Sequence, residues 1–235
     1  MIRISKRLAA IGALVTTGNR LADIGCDHGY LPIYLIQRRR IPRAIAMDVR
    51  PGPLSKAREN IEAYGLLDYI ELRISDGLEA LRPGEAQTVA IAGMGGPLME
   101  EILRRGAGKL SDLEELILQP QSHVERFRRF LRELPFTVAG EDLVLEEGKY
   151  YPMLRLTRGG PKDEWDEADF KYGKYLLRHR HPALGDFLQK EKAKLEKLET
   201  ELRLSGGVRA AKRLEQIQTE QACVREALKK YGFDM

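Results

Sequence analysis

Short apolar runs alternate with amphipathic segments along residues 1–161. The apolar runs are typical of buried strands, whereas apolar side chains that recur every three to four positions are typical of helices. We predict strands over residues 20–24, 44–48, 70–74, 88–92 and 115–118. We predict helices over residues 4–15, 31–37, 52–64, 97–105 and 124–132. This alternation indicates an α/β fold with a parallel sheet that is covered by helices on both faces.

The alternation ends with two further strand-like runs, residues 137–145 and 151–157. The connection between them contains Glu147 and Gly148 and is long enough only for a tight turn. Neighbouring strands joined by such a turn are antiparallel. We therefore expect an antiparallel hairpin after the parallel strands.

The composition changes after Gly160 and Pro161 to long, charged helical segments. Apolar side chains then recur at the a and d positions of a heptad, at Leu195, Leu198, Leu202, Leu214, Ile217, Val224, Leu228 and Tyr231, with Gln221 in the same series. The segment 204–207 ends in two glycines, which favours a turn between two helices. We predict an α/β domain over residues 1–161 and a helical coiled-coil hairpin domain over residues 162–235.

The 235-residue chain is 43% apolar and 31% charged, enough for one full core and a small second one. Its formal net charge of +4 permits a nucleic-acid partner without identifying one. Cys26 and Cys223 lack the spacing of a disulfide framework or a cysteine metal site. No apolar run approaches the roughly 20 residues that cross a bilayer, and no leader cleavage site follows the basic N-terminus. We expect a cytoplasmic protein with no membrane contact and no required metal.

The end of the first predicted strand carries a nucleotide-binding pattern. Asp23 and Gly25 lie at this end, Asp27 follows, and the next strand ends in Asp48. Glycines at such a strand end let the backbone approach a ligand, and a later acid accepts hydrogen bonds from ribose hydroxyls. Asp27 stands where a dinucleotide site has its second glycine and would repel a pyrophosphate. The acidic loop therefore favours S-adenosylmethionine, which is cationic and has no phosphates.

A third acid, Asp76, ends the next predicted strand, where it could accept a hydrogen bond from the adenine amine of the cofactor. An acid at a strand end is often only a helix cap. The order of these acids along successive strands nevertheless favours a methyltransferase. The candidate cofactor-binding residues are Asp23, Gly25, Asp27, His28, Gly29, Asp48, Asp76, Gly77, Gly93, Met94 and Gly95.

Beyond this general pattern, four phrases of the sequence resemble one family closely. They are the residues 5–8, 22–32, 91–96 and 116–121, which read SKRL, ADIGCDHGYLP, IAGMGG and LILQPQ. They resemble the TrmK family, bacterial methyltransferases that act on N1 of adenine 22 in tRNA. The resemblance implies a class I methyltransferase sheet with one antiparallel strand, S-adenosylmethionine as methyl donor and tRNA as substrate. Gln121 is a departure, since the family is expected to have asparagine there.

The chemistry of adenine N1 suggests roles for several side chains near the cofactor loop. N1 is already an unprotonated nucleophile at neutral pH, and its methylated product is cationic, so a nearby carboxylate would stabilise it. Asp27 is the candidate, with a helix cap as the alternative. His28 could act as a base or only order the loop. Tyr30 could stack on the adenine or only pack in its helix. The amide of Gln119 could face the pocket or solvent.

Local basic clusters matter more for RNA binding than the net charge. We expect the N-terminal cluster of Arg3, Lys6 and Arg7 to contact tRNA, and the other clusters to be ordinary solvated surface. Two other functions stay open: a methyltransferase of the same fold acting on another RNA site, a small molecule or a protein, and a binding protein with a vestigial cofactor site. A monomer is favoured, although the sequence does not fix the oligomeric state.

Overall fold

The computed structural model describes residues 1–205 and 207–233. The chain divides into two compact units, Met1–Lys162 and Asp163–Met235. We call them the α/β unit and the helical unit. The division proposed from the sequence lies one residue earlier, between residues 161 and 162.

The α/β unit contains one sheet of seven strands. They are β1 (Leu21–Ile24), β2 (Ala44–Asp48), β3 (Ile70–Ile74), β4 (Thr88–Met94), β5 (Glu115–Pro120), β6 (Phe136–Glu146) and β7 (Lys149–Arg158). The strand order is β3-β2-β1-β4-β5-β7-β6. Strands β1 to β5 pair in parallel, and β7 is antiparallel to both β5 and β6. The predicted α/β fold class, with an antiparallel hairpin after the parallel strands, is confirmed.

Five α-helices flank this sheet. They are α1 (Lys6–Leu14), α2 (Tyr30–Gln37), α3 (Pro51–Ala63), α4 (Gly96–Arg105) and α5 (Val124–Leu131), and a short 3₁₀ helix covers Ala107–Asp112. Ser5 caps α1 because its Oγ accepts a hydrogen bond from the backbone N of Leu8 at 3.2 Å. Pro51 and Pro97 occupy the first turns of α3 and α4, where a missing N–H costs nothing.

The central strands determine where a ligand can bind. All residues of β1, β2 and β5 are buried, as expected for parallel strands covered on both faces. The strand order reverses between β1 and β4, because β2 and β3 lie on one side of β1 and β4 and β5 on the other. In open α/β sheets, ligands bind at the carboxyl ends of the strands at such a switch point.

A buried carboxylate fixes the end of α1 against the sheet. Glu115 is 1% exposed. Its Oε1 accepts hydrogen bonds from Thr16 Oγ1 at 2.7 Å and Arg155 Nε at 2.6 Å. Its Oε2 accepts from the backbone N of Thr16 at 3.0 Å and from Thr88 Oγ1 at 2.8 Å. One side chain therefore connects the segment after α1 with β4, β5 and β7.

The helical unit contains α6 (Lys174–Arg178), α7 (Pro182–Ser205) and α8 (Val208–Tyr231), and a π-helical turn over Asp169–Gly173 precedes α6. The two long helices, α7 and α8, pack together. Among the predicted heptad positions, the buried ones are Leu195, Ile217, Val224 and Leu228. Gly206, the first glycine of the predicted turn, lies outside the described residues.

Candidate functional site

A cleft of about 370 Å³ lies at the carboxyl ends of β1, β2 and β4. It brings together many residues that the sequence singles out, although they are far apart along the chain. The predicted residues in its lining are Arg7, Asp23, Gly25, Asp27, His28, Tyr30, Asp48, Gly93 and Met94. The cleft therefore lies at the switch point of the sheet, the place where ligands bind in open α/β folds.

The loop between β1 and α2 has an unusual backbone. Gly25, Asp27 and Gly29 have φ angles of 73°, 49° and 71°, in the left-handed region. A Cβ atom on Gly25 would lie 2.2 Å from Cε of Met94, so no other residue fits without moving that side chain. No side chain caps α2, whose N-cap is Gly29. The alternative in which Asp27 caps the following helix is therefore wrong, because its carboxylate makes no capping hydrogen bond.

Two acids at the floor of the cleft are almost fully buried. Asp23 is 4% exposed and Asp48 is 6% exposed. Burial, and then the neighbouring charge of Asp48, raise the pKa of Asp23 to about 7. Asp48 Oδ1 accepts a hydrogen bond from the backbone N of Arg50 at 3.0 Å. Within residues 1–205 and 207–233, no hydrogen bond reaches the carboxylate of Asp23, so a cationic ligand would compensate its charge.

Cys26 lines the same cleft, and its thiol is not an activated nucleophile. Burial is the largest cause that raises its pKa, and the charges of Asp23 and Asp48 raise it further. A thiol with a raised pKa stays protonated at neutral pH and is a poor nucleophile. The chemistry of the cleft therefore does not depend on a thiolate.

Asp27, His28 and Tyr30 form a group on the rim. Nε2 of His28 lies 3.6 Å from Oδ2 of Asp27, whose side chain is 68% exposed. The rings of His28 and Tyr30 stack with centroids 5.2 Å apart, so one face of Tyr30 is already covered. Nδ1 of His28 is buried and has no hydrogen-bond partner in the described part of the chain. The exposed carboxylate is the member of this group best placed to meet a large substrate.

Gln119 lies behind the wall of the cleft and supports it. It is fully buried, and its Oε1 accepts hydrogen bonds from Arg7 Nη1 at 2.9 Å and from the backbone N of Gly93 at 3.2 Å. Its Nε2 donates to the carbonyl O of Pro120 at 3.1 Å. The guanidinium carbon of Arg7 lies 5.6 Å from the ring centroid of Tyr151. The amide of Gln119 is thus fully bonded within the protein, and it supports Arg7 and the turn at Gly93.

Besides Gln119, six predicted residues lie outside the cleft lining, as far as the structure describes the chain: Arg3, Lys6, Gly29, Asp76, Gly77 and Gly95. Oδ2 of Asp76 accepts a hydrogen bond from Arg105 Nη1 at 2.9 Å. A Cβ on Gly77 would lie 2.9 Å from a methyl carbon of Ile102. The close packing of Ile102 therefore explains why a glycine occupies this position. The contact of Asp76 with the cofactor stays a prediction.

Some residues of this region were missed from the sequence. Arg50 and Gln121 line the cleft, and neither is among the candidate site residues of the sequence analysis. Val49 and Ile74 are apolar side chains at the ends of β2 and β3 that are 57% and 61% exposed. An exposed apolar residue directly after a strand-end acid is a signal that could have suggested a surface for a planar ring.

A second cleft, of about 380 Å³, lies at the amino ends of β1 and β2, beside Leu21 and Ala44. Three of its charged side chains, Arg20, Glu71 and Glu85, already have partners. Arg20 Nη2 donates to the carbonyl O of Gly84 at 2.7 Å, and Glu85 pairs with Arg73 at 2.7 Å. This cleft lies away from the carboxyl ends of the strands, and we assign the candidate site to the first one.

Within residues 1–205 and 207–233, no helix is long and apolar enough to cross a membrane. The same residues contain no group of three histidine, cysteine, aspartate or glutamate side chains that could hold a metal ion. Cys26 is a free cysteine.

Comparisons with known proteins agree with this geometry. A model of the TrmK family, described as tRNA (adenine(22)-N(1))-methyltransferase, matches residues 21–229. The tRNA (adenine(22)-N(1))-methyltransferase of Bacillus subtilis (strain 168) is 36% identical to this chain over 191 residues, which are 81% of this chain and 77% of the relative.

Two crystal structures extend the similarity to the whole fold. Streptococcus pneumoniae Sp1610 in complex with S-adenosyl-L-methionine matches with a TM-score of 0.84 and 34% identity, over 96% of this chain and 100% of that chain. The B. subtilis m1A22 tRNA methyltransferase TrmK matches with a TM-score of 0.85 and 28% identity, over 97% and 100% of the two chains. The family model covers most of the sequence, including the strands that build the cleft. The chain therefore belongs to the TrmK family of tRNA (adenine(22)-N(1))-methyltransferases.

Proposed function

We propose that the cleft at the carboxyl ends of β1, β2 and β4 is where this chain transfers a methyl group from S-adenosylmethionine to N1 of adenine 22 in tRNA. As a member of its family, the chain is an S-adenosylmethionine-dependent methyltransferase. One observation supports this location above the others. Asp23 and Asp48 are buried side by side at the floor of the cleft, directly beside the left-handed turn at Gly25.

The residues of the cleft fit this cofactor. Asp48 has a carboxylate oxygen that can accept hydrogen bonds from ribose hydroxyls. Asp23 can compensate the positive charge of the amino-acid end. Gly25 and Gly93, both with positive φ, let the backbone come close to the ligand. When bound, S-adenosylmethionine supplies an electrophilic methyl group on a sulfonium.

The chemistry that remains for the protein is placement and charge stabilisation. The lone pair of adenine N1 forms the new N–C bond while the methyl–sulfur bond breaks and its electron pair goes to sulfur. The adenine ring gains a positive charge. We propose that the exposed carboxylate of Asp27 stabilises this charge or accepts a proton from N6, since an oriented carboxylate is most effective where charge develops.

The remaining predicted residues are proposed to hold the substrate. The uncovered face of Tyr30 can stack on adenine 22, while His28 keeps the ring in place from the other side. Arg7 is held by Gln119 at the wall of the cleft, where it can contact tRNA phosphate. Arg3 precedes α1 and Lys6 is its first residue, and we propose that they extend this contact.

We further propose that the α/β unit binds the cofactor and that the helical unit binds or orients tRNA. We also propose that the protein acts in the cytoplasm as a monomer. The free thiol of Cys26 supports a reducing environment.

The test is incubation of the full chain with labelled S-adenosylmethionine and bulk tRNA from a strain that lacks the activity. We expect label in 1-methyladenine after digestion to nucleosides. Label in another nucleoside would contradict the proposed target, and label in protein rather than in tRNA would favour a methyltransferase of the same fold with another substrate.

A further inference from the structure

We propose that Gln121 recognises adenine 22 by its Hoogsteen edge and thereby leaves N1 free for methylation. This inference rests on the proposed function. Gln121 follows β5 and lines the cleft beside Gly93, and its side chain is exposed. The residue is therefore in place to touch a base that enters the cleft.

The backbone holds Gln121 in a defined place. Its backbone N donates a hydrogen bond to the carbonyl O of Met94 at 2.8 Å. In the neighbouring turn, the backbone N of Gly96 donates to the carbonyl O of Ser122 at 3.1 Å. The segments that follow β4 and β5 are thus connected at Gln121 and at the residue after it. The backbone of Gln121 is therefore hydrogen-bonded to the neighbouring segment of the wall.

The side-chain amide of Gln121 is available to a ligand. Within the described residues, it makes no hydrogen bond to the protein. Its Nε2 and Arg7 Nη1 each lie 3.8 Å from the place where a Cβ on Gly93 would be, so the two side chains flank the glycine turn. Arg7 can only donate hydrogen bonds, and the amide of Gln119 is already bonded. Gln121 is the amide in the cleft that can both donate and accept.

A side-chain amide that both donates and accepts can distinguish adenine from guanine. N1 must face the methyl donor, so a contact that identifies the base has to use another edge. The Hoogsteen edge offers the N6 amine as donor and N7 as acceptor, and a glutamine amide matches both at once. Guanine presents two acceptors there, O6 and N7, and its N1 carries a proton. Gln121 can therefore select adenine while Asp27 remains free for the hydrogen of N6 that lies on the N1 side.

The test compares two tRNA substrates under single-turnover conditions: one with adenine at position 22, and one with 7-deazaadenine there, which keeps N1 and N6 but has no N7 acceptor. We expect the wild-type protein to methylate the 7-deaza substrate about three- to tenfold less efficiently, the range for one lost hydrogen bond. A tRNA with 7-deazaadenine at a different position is the matched control and should behave like the unmodified tRNA.

Two variants show whether Gln121 is the cause. Gln121→Met has no amide and should methylate both substrates equally, at a rate below that of the wild-type protein on adenine. Gln121→Glu keeps an acceptor for N6 but opposes N7 with a second acceptor, so it should prefer the 7-deaza substrate. Unchanged affinity for S-adenosylhomocysteine by calorimetry shows that each variant is folded with an intact cofactor site.

Equal methylation of both substrates by the wild-type protein would overturn the inference, and so would a Gln121→Met variant that still discriminates between them. These outcomes are distinct from a failure of the proposed function, in which unmodified tRNA would receive no methyl group at adenine 22 at all.

Discussion

Asp23 is a buried acid that the free protein leaves without a compensating charge. Its pKa is raised to about 7, far above the ordinary 3.8, by burial and by Asp48. In the free protein, protonated Asp23 contributes stability that is fully present below about pH 4 and is lost as pH rises through about 7. A ligand with a cationic end reverses this preference, because it stabilises the ionised form.

Cofactor affinity should therefore depend on pH through Asp23. We expect the affinity for S-adenosylhomocysteine, whose ammonium group stays charged, to increase about tenfold from pH 6 to pH 8, as the acid ionises without cost at the higher pH. Calorimetry at both values measures it. Asp23→Asn is the control and should bind more weakly with a flat pH profile; a flat profile in the wild-type protein would contradict the assignment.

Asp48 is predicted to hold the ribose of the cofactor. Asp48→Ala removes an acceptor for two hydroxyls and should weaken binding of S-adenosylhomocysteine by roughly 1–3 kcal/mol, the value of hydrogen bonds to charged groups. Glu101→Ala, on the exposed surface of α4, is a suitable control and should bind normally. Wild-type affinity in a folded Asp48→Ala protein would remove this residue from the site.

Asp27 is predicted to act in the chemical step. Asp27→Asn keeps the size of the side chain and a residue type that tolerates positive φ, but it removes the charge. We expect the single-turnover rate to fall on the order of 100-fold, with cofactor affinity little changed, as for other lost electrostatic or acid–base groups. A rate near that of the wild-type protein at saturating cofactor would mean that Asp27 only shapes the loop.

At the scale of elements, α1 is fixed by Glu115 and carries Arg7 into the cleft. Glu115→Ala would leave buried donors such as Thr88 Oγ1 without an acceptor, and we expect a loss of about 1–3 kcal/mol in the free energy of unfolding. Urea denaturation measures this loss. Glu101→Ala removes an exposed ion pair and should change stability by less than about 0.5 kcal/mol. Equal stability of the two variants would show that Glu115 does not anchor α1.

The elements also show how far the sequence could predict the fold. The sequence of β2 is an apolar run and that of β3 alternates apolar and charged residues, and both strands have the predicted bounds. The pattern ends β4 at Ala92 because Gly93 weakens a strand. In the structure β4 continues to Met94, which pairs with Pro120 beyond a bulge. That pairing depends on contact with β5. The sequence pattern around β4 carries no information about this neighbouring strand.

The site was predictable where it follows from topology and not where it depends on distant partners. Asp23 and Asp48 end adjacent parallel strands, so their meeting in one cleft follows from the sheet alone. Arg7 and Gln119 are 112 residues apart, and nothing in either segment predicts their hydrogen bond. Asp76 was expected at the cofactor for the same topological reason, but its partner Arg105 comes from α4.

At the scale of the whole molecule, we predict that the α/β unit binds the cofactor and that the helical unit serves tRNA binding. Residues 1–162 contain the cleft and a buried core of their own. Removal of residues 163–235 should leave the affinity for S-adenosylhomocysteine nearly intact and weaken methylation of tRNA. Calorimetry and a tRNA methylation assay on the same truncated protein measure both. Full methylation efficiency without the helical unit would assign that unit another role, such as self-association.

The central claim is that this cleft methylates N1 of adenine 22 in tRNA. The most direct measurement is primer extension on a single tRNA transcript after incubation with the full chain and S-adenosylmethionine, because a methyl group on N1 blocks base pairing and stops the polymerase. We predict a stop at position 22 that requires the cofactor, and none in a transcript with guanine at that position. A stop at another adenine, or equal stops in both transcripts, would contradict the account.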